Sequence, residues 1–300
     1  MMKIKINNKG DNRTFVQSLV LILTNMNIPG FINGTIFKGK SKYICVPGLN
    51  CYSCPGAIAS CPIGSLQAIL GSAEYKFSFY ILGLLAFFGV MLGRFVCGWL
   101  CPFGFLQDII YKIKVKKLKM NKKIDEPLRW FKYFILATFV ILMPIFLRSN
   151  FNLGDPYFCK YICPSGTFMA GIPMLILNAP LRNSIGFLFG WKMIVLISVV
   201  VSSVFIYRTF CKYLCPLGAF YALFNKISFY QMQIDEHKCT KCKACERHCN
   251  MNVAVTLKPN HSECIRCGDC IKACPHGAIK SGFLVKDDAD KNQIKRLLKK

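Results

Sequence analysis

Between residues 239 and 274 one cysteine spacing, C-x2-C-x2-C-x3-C, is written twice. The first copy is Cys239, Cys242, Cys245 and Cys249; the second is Cys264, Cys267, Cys270 and Cys274, followed by Pro275. This is a ligand pattern for paired [4Fe–4S] clusters, in which the fourth cysteine of each run ligates the other cluster. The expected sets are therefore Cys239, Cys242, Cys245 with Cys274, and Cys264, Cys267, Cys270 with Cys249. Zinc sites use C-x2-C pairs held apart by a longer spacer, and disulfide scaffolds are small secreted domains. Asn250 stands where the first run usually has proline, which shapes the following turn and is not a ligand. Clusters of this kind move single electrons, so the chain handles electrons.

Composition says where. Hydrophobic residues make up 53% of the 300 and charged residues only 18%, yet the net charge is +25. A soluble domain with that content needs a very large core, whereas a membrane protein needs only apolar spans and basic loops. The basic residues lie beside apolar segments, so the positive-inside rule accounts for them and a nucleic-acid partner is not expected. Met1 to Arg13 is basic and precedes an apolar run with no small-residue cleavage site, which reads as a retained first span.

Four transmembrane helices are expected: Phe15 to Ile28 (extending toward Phe37), Phe77 to Phe95, Trp130 to Leu147, and Gly186 to Tyr207. Phe168 to Leu177 is too short to cross, contains Pro173, and reads as interfacial or re-entrant. The segment Arg94–Lys132 has ten basic and three acidic residues, a net of +7. Phe31–Lys76 carries four lysines less Glu74 (+3), and Arg148–Asn183 three basic residues less Asp155 (+2). The most basic segment belongs in the cytoplasm, which places both termini there and the chain in the cell (cytoplasmic) membrane.

The other ten cysteines follow a repeat. C-P-x-G occurs at Cys61, Cys101, Cys163 and Cys215, and in the last three a cysteine lies four residues earlier, at Cys97, Cys159 and Cys211. Two copies share a trailing Leu-Gln, at Gln67 and Gln107. Proline after each ligand predicts a helix start, where the positive end of the dipole favours thiolate. Mapped onto the spans, the copies alternate outside, inside, outside, inside, so the chain reads as two related halves. Cys97, Cys101, Cys211 and Cys215 make an inner-face set for a third [4Fe–4S] cluster that staples the halves. Cys45, Cys51, Cys54, Cys61, Cys159 and Cys163 form an outer-face group, two more than a fourth cluster requires. Cys51, Cys54, Cys159 and Cys163 are one set, Cys61 can replace any member, and disulfides compete where the exterior is oxidising.

The expected layout is a basic N-terminus (1–14), a four-span membrane domain (15–230), an α+β two-cluster bacterial ferredoxin-like domain (231–285) and a basic tail (286–300). Overall this is a mostly α membrane protein. The segment Gly93-Arg94-Phe95-Val96-Cys97-Gly98-Trp99-Leu100-Cys101-Pro102-Phe103-Gly104, the later Cys211-x3-Cys215-Pro216-Leu217-Gly218 and the double terminal run resemble the NapH-like family of polytopic [4Fe–4S] ferredoxin-type membrane proteins. Its relatives include nitrous-oxide-reductase accessory membrane proteins and a copper-reducing cytochrome-oxidase assembly factor. The resemblance covers roughly residues 77 to 280. It implies four spans, cytoplasmic clusters, and electron passage between a membrane pool or cytoplasmic donor and an exterior partner. The outer cysteines depart from the nitrate-reduction members and look instead like iron–sulfur membrane proteins of anaerobes.

The expected function is a membrane-bound electron-transfer subunit of an oxidoreductase system, with membrane lipid and redox proteins on one or both faces as partners. The alternative is a redox-sensing or metal-reducing assembly or regulatory protein. Heme is not expected, because all four histidines (His237, His248, His261, His276) lie in the ferredoxin region. Across an apolar core ~30 Å thick, clusters on opposite faces need either loops that sink toward the midplane or a quinone between them. Gln67 and Gln107 read as site-lining residues or, more simply, packed amides. Asp108 reads as a quinol-proton acceptor or, more simply, a helix acid facing the cytosol. Lys112 to Lys123 reads as inner-loop charge that also suits an acidic redox protein.

Overall fold

The computed structural model describes residues 11–72, 79–147 and 154–283. Most of the basic N-terminus, the start of the expected second span and the basic tail lie outside the described residues.

The Cys-Pro turns set the helix starts. Cys61, Cys101, Cys163 and Cys215 each sit at an N-cap in extended backbone, and the next residue, proline, opens a helix. Proline suits that position because its φ is already helical and the N–H it lacks has no intrahelical partner. In chain order the helices used below are α1 (Asp11–Thr24), α2 (Pro62–Leu70), α3 (Phe79–Leu92), α4 (Phe95–Trp99) and α5 (Pro102–Tyr111). They continue with α6 (Lys123–Phe146), α7 (Pro164–Leu177), α8 (Phe187–Phe205), α9 (Thr209–Tyr213) and α10 (Pro216–Phe224). A widened π turn interrupts α6 at Leu136–Leu142, just before Pro144, whose missing N–H breaks the regular ladder.

Among the described residues, two helices are long and apolar enough to cross a membrane: α6, covering the expected third span, and α8, covering the fourth. The other two expected spans are realised as α1 and α3, 14 residues each. At 1.5 Å per residue the described part of each reaches about 21 Å. The stretch expected to be interfacial or re-entrant lies in α7, which carries a second π turn at Thr167–Gly171 and Pro173. Large apolar side chains of α1, α3, α6 and α8 point outward, among them Phe15, Phe87, Trp130, Phe146, Phe187 and Ile194.

The ferredoxin region is closed by β1 (Tyr230–Ile234) and β2 (Ile279–Phe283), antiparallel, with Tyr230 opposite Phe283 and Ile234 opposite Ile279. Two short helices, α11 (Ala244–Arg247) and α12 (Asp269–Lys272), follow equivalent cysteines of the two runs. This region is bolted to the helical part. Glu263 lies between Arg94 of the α3–α4 turn, 2.5 Å away, and Lys132 of α6. Arg266 donates to the carbonyls of Leu92 and Asn225 and to Ser228 Oγ, each at 2.7 Å.

Candidate iron–sulfur sites

In the ferredoxin region the two runs use the same backbone shape. Lys241 and Arg266, Lys243 and Gly268, and Asn252 and Gly277 occupy equivalent positions and all have left-handed φ. Four of these six are not glycine, so the chain accepts an unfavourable conformation at matching points. The result is a loop that turns its N–H groups inward: Arg266 N–H toward Cys264, Asp269 N–H toward Cys267, Ala244 N–H toward Cys242. Such a nest of N–H groups suits an anionic sulfur cage. Cys239, Cys242, Cys245 and Cys274 line one cavity. Cys264, Cys267, Cys270 and Cys249 are brought together as the second set, Cys249 lying beside Cys264 and Cys270.

The four C-P-x-G turns share a second device. The glycine is the third helical residue, and its N–H is directed at the cysteine sulfur, for Gly218 to Cys215 at 3.3 Å. Sulfur thus takes the place of the usual N-cap oxygen. Burial pushes the Cys61 and Cys101 thiols up to about 11, against the pull of these N–H groups. A side chain at the glycine would face the cage: a Cβ at Gly64 would lie 3.8 Å from Cys159 Sγ, and one at Gly166 3.7 Å from Cys51 Sγ.

Cys97, Cys101, Cys211 and Cys215 are mutual neighbours, buried, from α4, α5, α9 and α10. Of the six outer cysteines, the structure groups Cys51, Cys61, Cys159 and Cys163. Cys45 and Cys54 stand aside, with Cys45 Sγ 3.5 Å from Ser65 Oγ and Cys54 Sγ 3.7 Å from Asn25 Oδ1. This grouping is one of those the spacing left open, with Cys61 in the place of Cys54, which also lies near Cys51. All eighteen cysteines are free thiols. Among the described residues no three Cys, His, Asp or Glu close around a single-ion position.

The inner and outer groups lie against each other rather than a membrane thickness apart. The Leu49 N–H faces Cys101, and the next N–H, of Asn50, faces Cys61. Two consecutive amides thus face one ligand of each group. A Cβ on Gly48 would sit 2.9 Å from Cys101 Cα, so only glycine permits the approach. Tyr221, fully buried, faces Cys97, Cys101 and Cys215 on one side and Cys61 on the other. The inner group meets the ferredoxin loop at a second glycine: a Cβ on Gly98 would fall 2.3 Å from the Ile265 carbonyl. Beside it Trp99 Nε1 donates to the Arg266 carbonyl at 3.0 Å.

Sequence reasoning missed a pair of arginines. Arg94 and Arg208 each stand three residues before the first cysteine of an inner motif, and both are fully buried. Arg94 donates to the Cys211 carbonyl at 3.1 Å, and Arg208 donates to the Cys97 carbonyl, so each half grips the other's ligand backbone. The shared R-x2-C-x3-C-P-x-G spelling was the available signal. Arg94 is completed by Glu263; burial opposes ionisation of that carboxyl, but Arg94 and Lys132 override it and hold it near 2. Arg208 is completed by Asp108, which also takes Arg13 at 2.5 Å and Gln17 at 3.1 Å from α1. Asp108 is neither an open cytosolic acid nor a waiting base: it is the acceptor of a buried network, its carboxyl held below the ordinary range despite burial.

Turns of this kind, repeated and joined to a double ferredoxin run, define an iron–sulfur protein of ferredoxin type. Residues 77–121, 131–176 and 187–230 match one family described as "4Fe-4S binding domain", and residues 257–280 match a second family of the same description. The protein MJ0750 of Methanocaldococcus jannaschii is 32% identical over 203 residues, covering 66% of this chain and 75% of its own. YccM of Escherichia coli, which carries an electron-transport name, is 24% identical over 306 residues, 96% of this chain and 80% of its own. "Ferredoxin-type protein NapH" of Haemophilus influenzae is 25% identical over 215 residues, 66% of this chain and 65% of its own. No solved structure matches. The chain belongs to the ferredoxin-type 4Fe-4S protein family, as its motifs resembled.

Proposed function

We propose that this chain is a membrane electron-transfer protein carrying four [4Fe–4S] clusters in one row. The ligand sets are Cys239, Cys242, Cys245, Cys274; then Cys264, Cys267, Cys270, Cys249; then Cys97, Cys101, Cys211, Cys215; then Cys51, Cys61, Cys159, Cys163. Thiols gathered in fours, none tied up in a disulfide, and N–H groups directed at the sulfurs suit that cofactor. Bound clusters supply one-electron chemistry; the polypeptide supplies their order and spacing. The observation that carries this reading is the pair of backbone contacts, Gly98 on Ile265 and Leu49-Asn50 between Cys101 and Cys61, which join successive sets without a gap.

The outward apolar sides of α1, α3, α6 and α8 favour a lipid-embedded scaffold, with the shorter helices seated in it beside the two that cross. The basic start of α6, where Arg129 donates to the Met251 carbonyl, favours a cytoplasmic ferredoxin region. Electrons then run between a cytoplasmic or quinone donor at the ferredoxin end, where Cys242 is exposed, and a redox partner beyond the outer group.

Purified without oxygen, the protein should hold about 16 iron atoms per chain, four per cluster. Cys61→Ser should lose about four of them, while Cys45→Ser and Cys54→Ser keep all. About eight in the unaltered chain would reduce it to a ferredoxin on a helical anchor, and loss in Cys54→Ser but not Cys61→Ser would overturn the outer assignment.

A further inference from the structure

Two glutamines repeat one arrangement at the inner and outer groups. Gln67 and Gln107 each follow a C-P-x-G cysteine by six residues and are almost wholly buried. Gln67 Oε1 accepts from the Phe158 N–H at 2.9 Å, and its Nε2 donates to Cys159 Sγ at 3.3 Å. Gln107 Oε1 accepts from the Phe210 N–H at 3.1 Å, and its Nε2 donates to Cys211 Sγ at 3.0 Å. The second hydrogen of each amide goes back to its own helix, to the carbonyls of Ile63 and Phe103.

The amide orientation follows from chemistry rather than from atom labels. A backbone N–H can only donate, so the glutamine oxygen must face it and the NH2 must face sulfur. A thiolate bound to iron is a pure acceptor and completes the set. Both contacts cross from the first half of the chain to the second, and the same detail occurring at two sites is hard to attribute to packing. The position is otherwise free to vary, since the second-half copies carry Met169 and Tyr221 there.

We infer that Gln67 and Gln107 are positioning residues that set the reduction potentials of the outer and inner clusters separately, each through one N–H···S bond to a ligand sulfur. This rests on the ligand sets proposed above. A hydrogen bond to sulfur stabilises the more negative, reduced form and so raises the potential. Methionine fills the same space without a donor.

The test uses the whole protein with its glutamine side-chain amides labelled with 15N, reduced and examined by pulsed EPR, with iron content measured alongside. The unaltered chain should show weakly coupled side-chain nitrogen on two clusters. Gln67→Met should remove one coupling and lower that cluster's midpoint; Gln107→Met should do the same to the other, with iron unchanged in both. Full iron without any glutamine coupling overturns the inference, as do unmoved midpoints or both variants acting on one cluster. Should a variant lose iron, the labelled unaltered chain decides alone. Missing clusters in the unaltered chain would instead refute the ligand sets, and the inference with them.

Discussion

Glu263→Ala tests how the ferredoxin region is held. The carboxylate is 3% exposed and sits between the side chains of Arg94 and Lys132, neither of them exposed at all. Removing it leaves the buried Arg94 guanidinium unpaired and Lys132 without its acceptor, and breaking such a pairing costs about 3–5 kcal/mol. The loss falls on docking, because Arg94 and Lys132 belong to the helical part while Glu263 adjoins Cys264 of the ferredoxin loop. At 1.4 kcal/mol per tenfold, local opening should become about 10²- to 4 × 10³-fold more frequent. Hydrogen exchange read on residues 257–280 would report it directly. Glu263→Gln, which keeps the shape and one acceptor, should lose less. Exchange in Glu263→Ala that rises less than about fivefold would refute the argument, leaving Arg266, Trp99 and Asn225 as sufficient attachments.

Two further outcomes follow from local geometry. Gly98→Ala places a methyl 2.3 Å from the Ile265 carbonyl, so the ferredoxin loop must move away; iron content should hold while the magnetic interaction between neighbouring reduced clusters weakens in EPR, and an unchanged interaction would count against direct contact. Asp108 is depressed in the folded chain, so its stabilisation is complete above the unfolded carboxylate value of about 3.9 and fades as pH falls below it. Asp108→Asn should cost about 1–3 kcal/mol at neutral pH and flatten thermal stability across that acid range; a mutant that keeps the parental acid slope would assign it to other carboxylates.

Much of the site could be read from short-range spelling. The two ferredoxin cysteine runs, the helix starts at Pro62, Pro102, Pro164 and Pro216, and each C-x3-C pair of the inner motifs depend on residues within a few positions of each other. Choosing among the outer six could not be read this way. Spacing allowed Cys54 or Cys61 equally; the chain turns so that Cys54 meets Asn25 while Cys61 lies near Cys163. Alternation across the membrane rested on four spans; among the described residues two helices, α6 and α8, are long and apolar enough to cross.

By itself, then, the amino-acid order determined the chemistry: eighteen thiols in ligand spacings, a helix opening after each Cys-Pro, and apolar surface enough for a lipid environment. Those features are local, governed by backbone preference and residue type. Tertiary structure alone decided that Leu49-Asn50 joins two cysteine groups, that Arg94 and Arg208 each brace the opposite half, and that Gln67 and Gln107 aim their NH2 groups at sulfur. Each of these pairs residues far apart in the chain, and the satisfaction of buried donors and charges, which spacing does not encode, selects the partner.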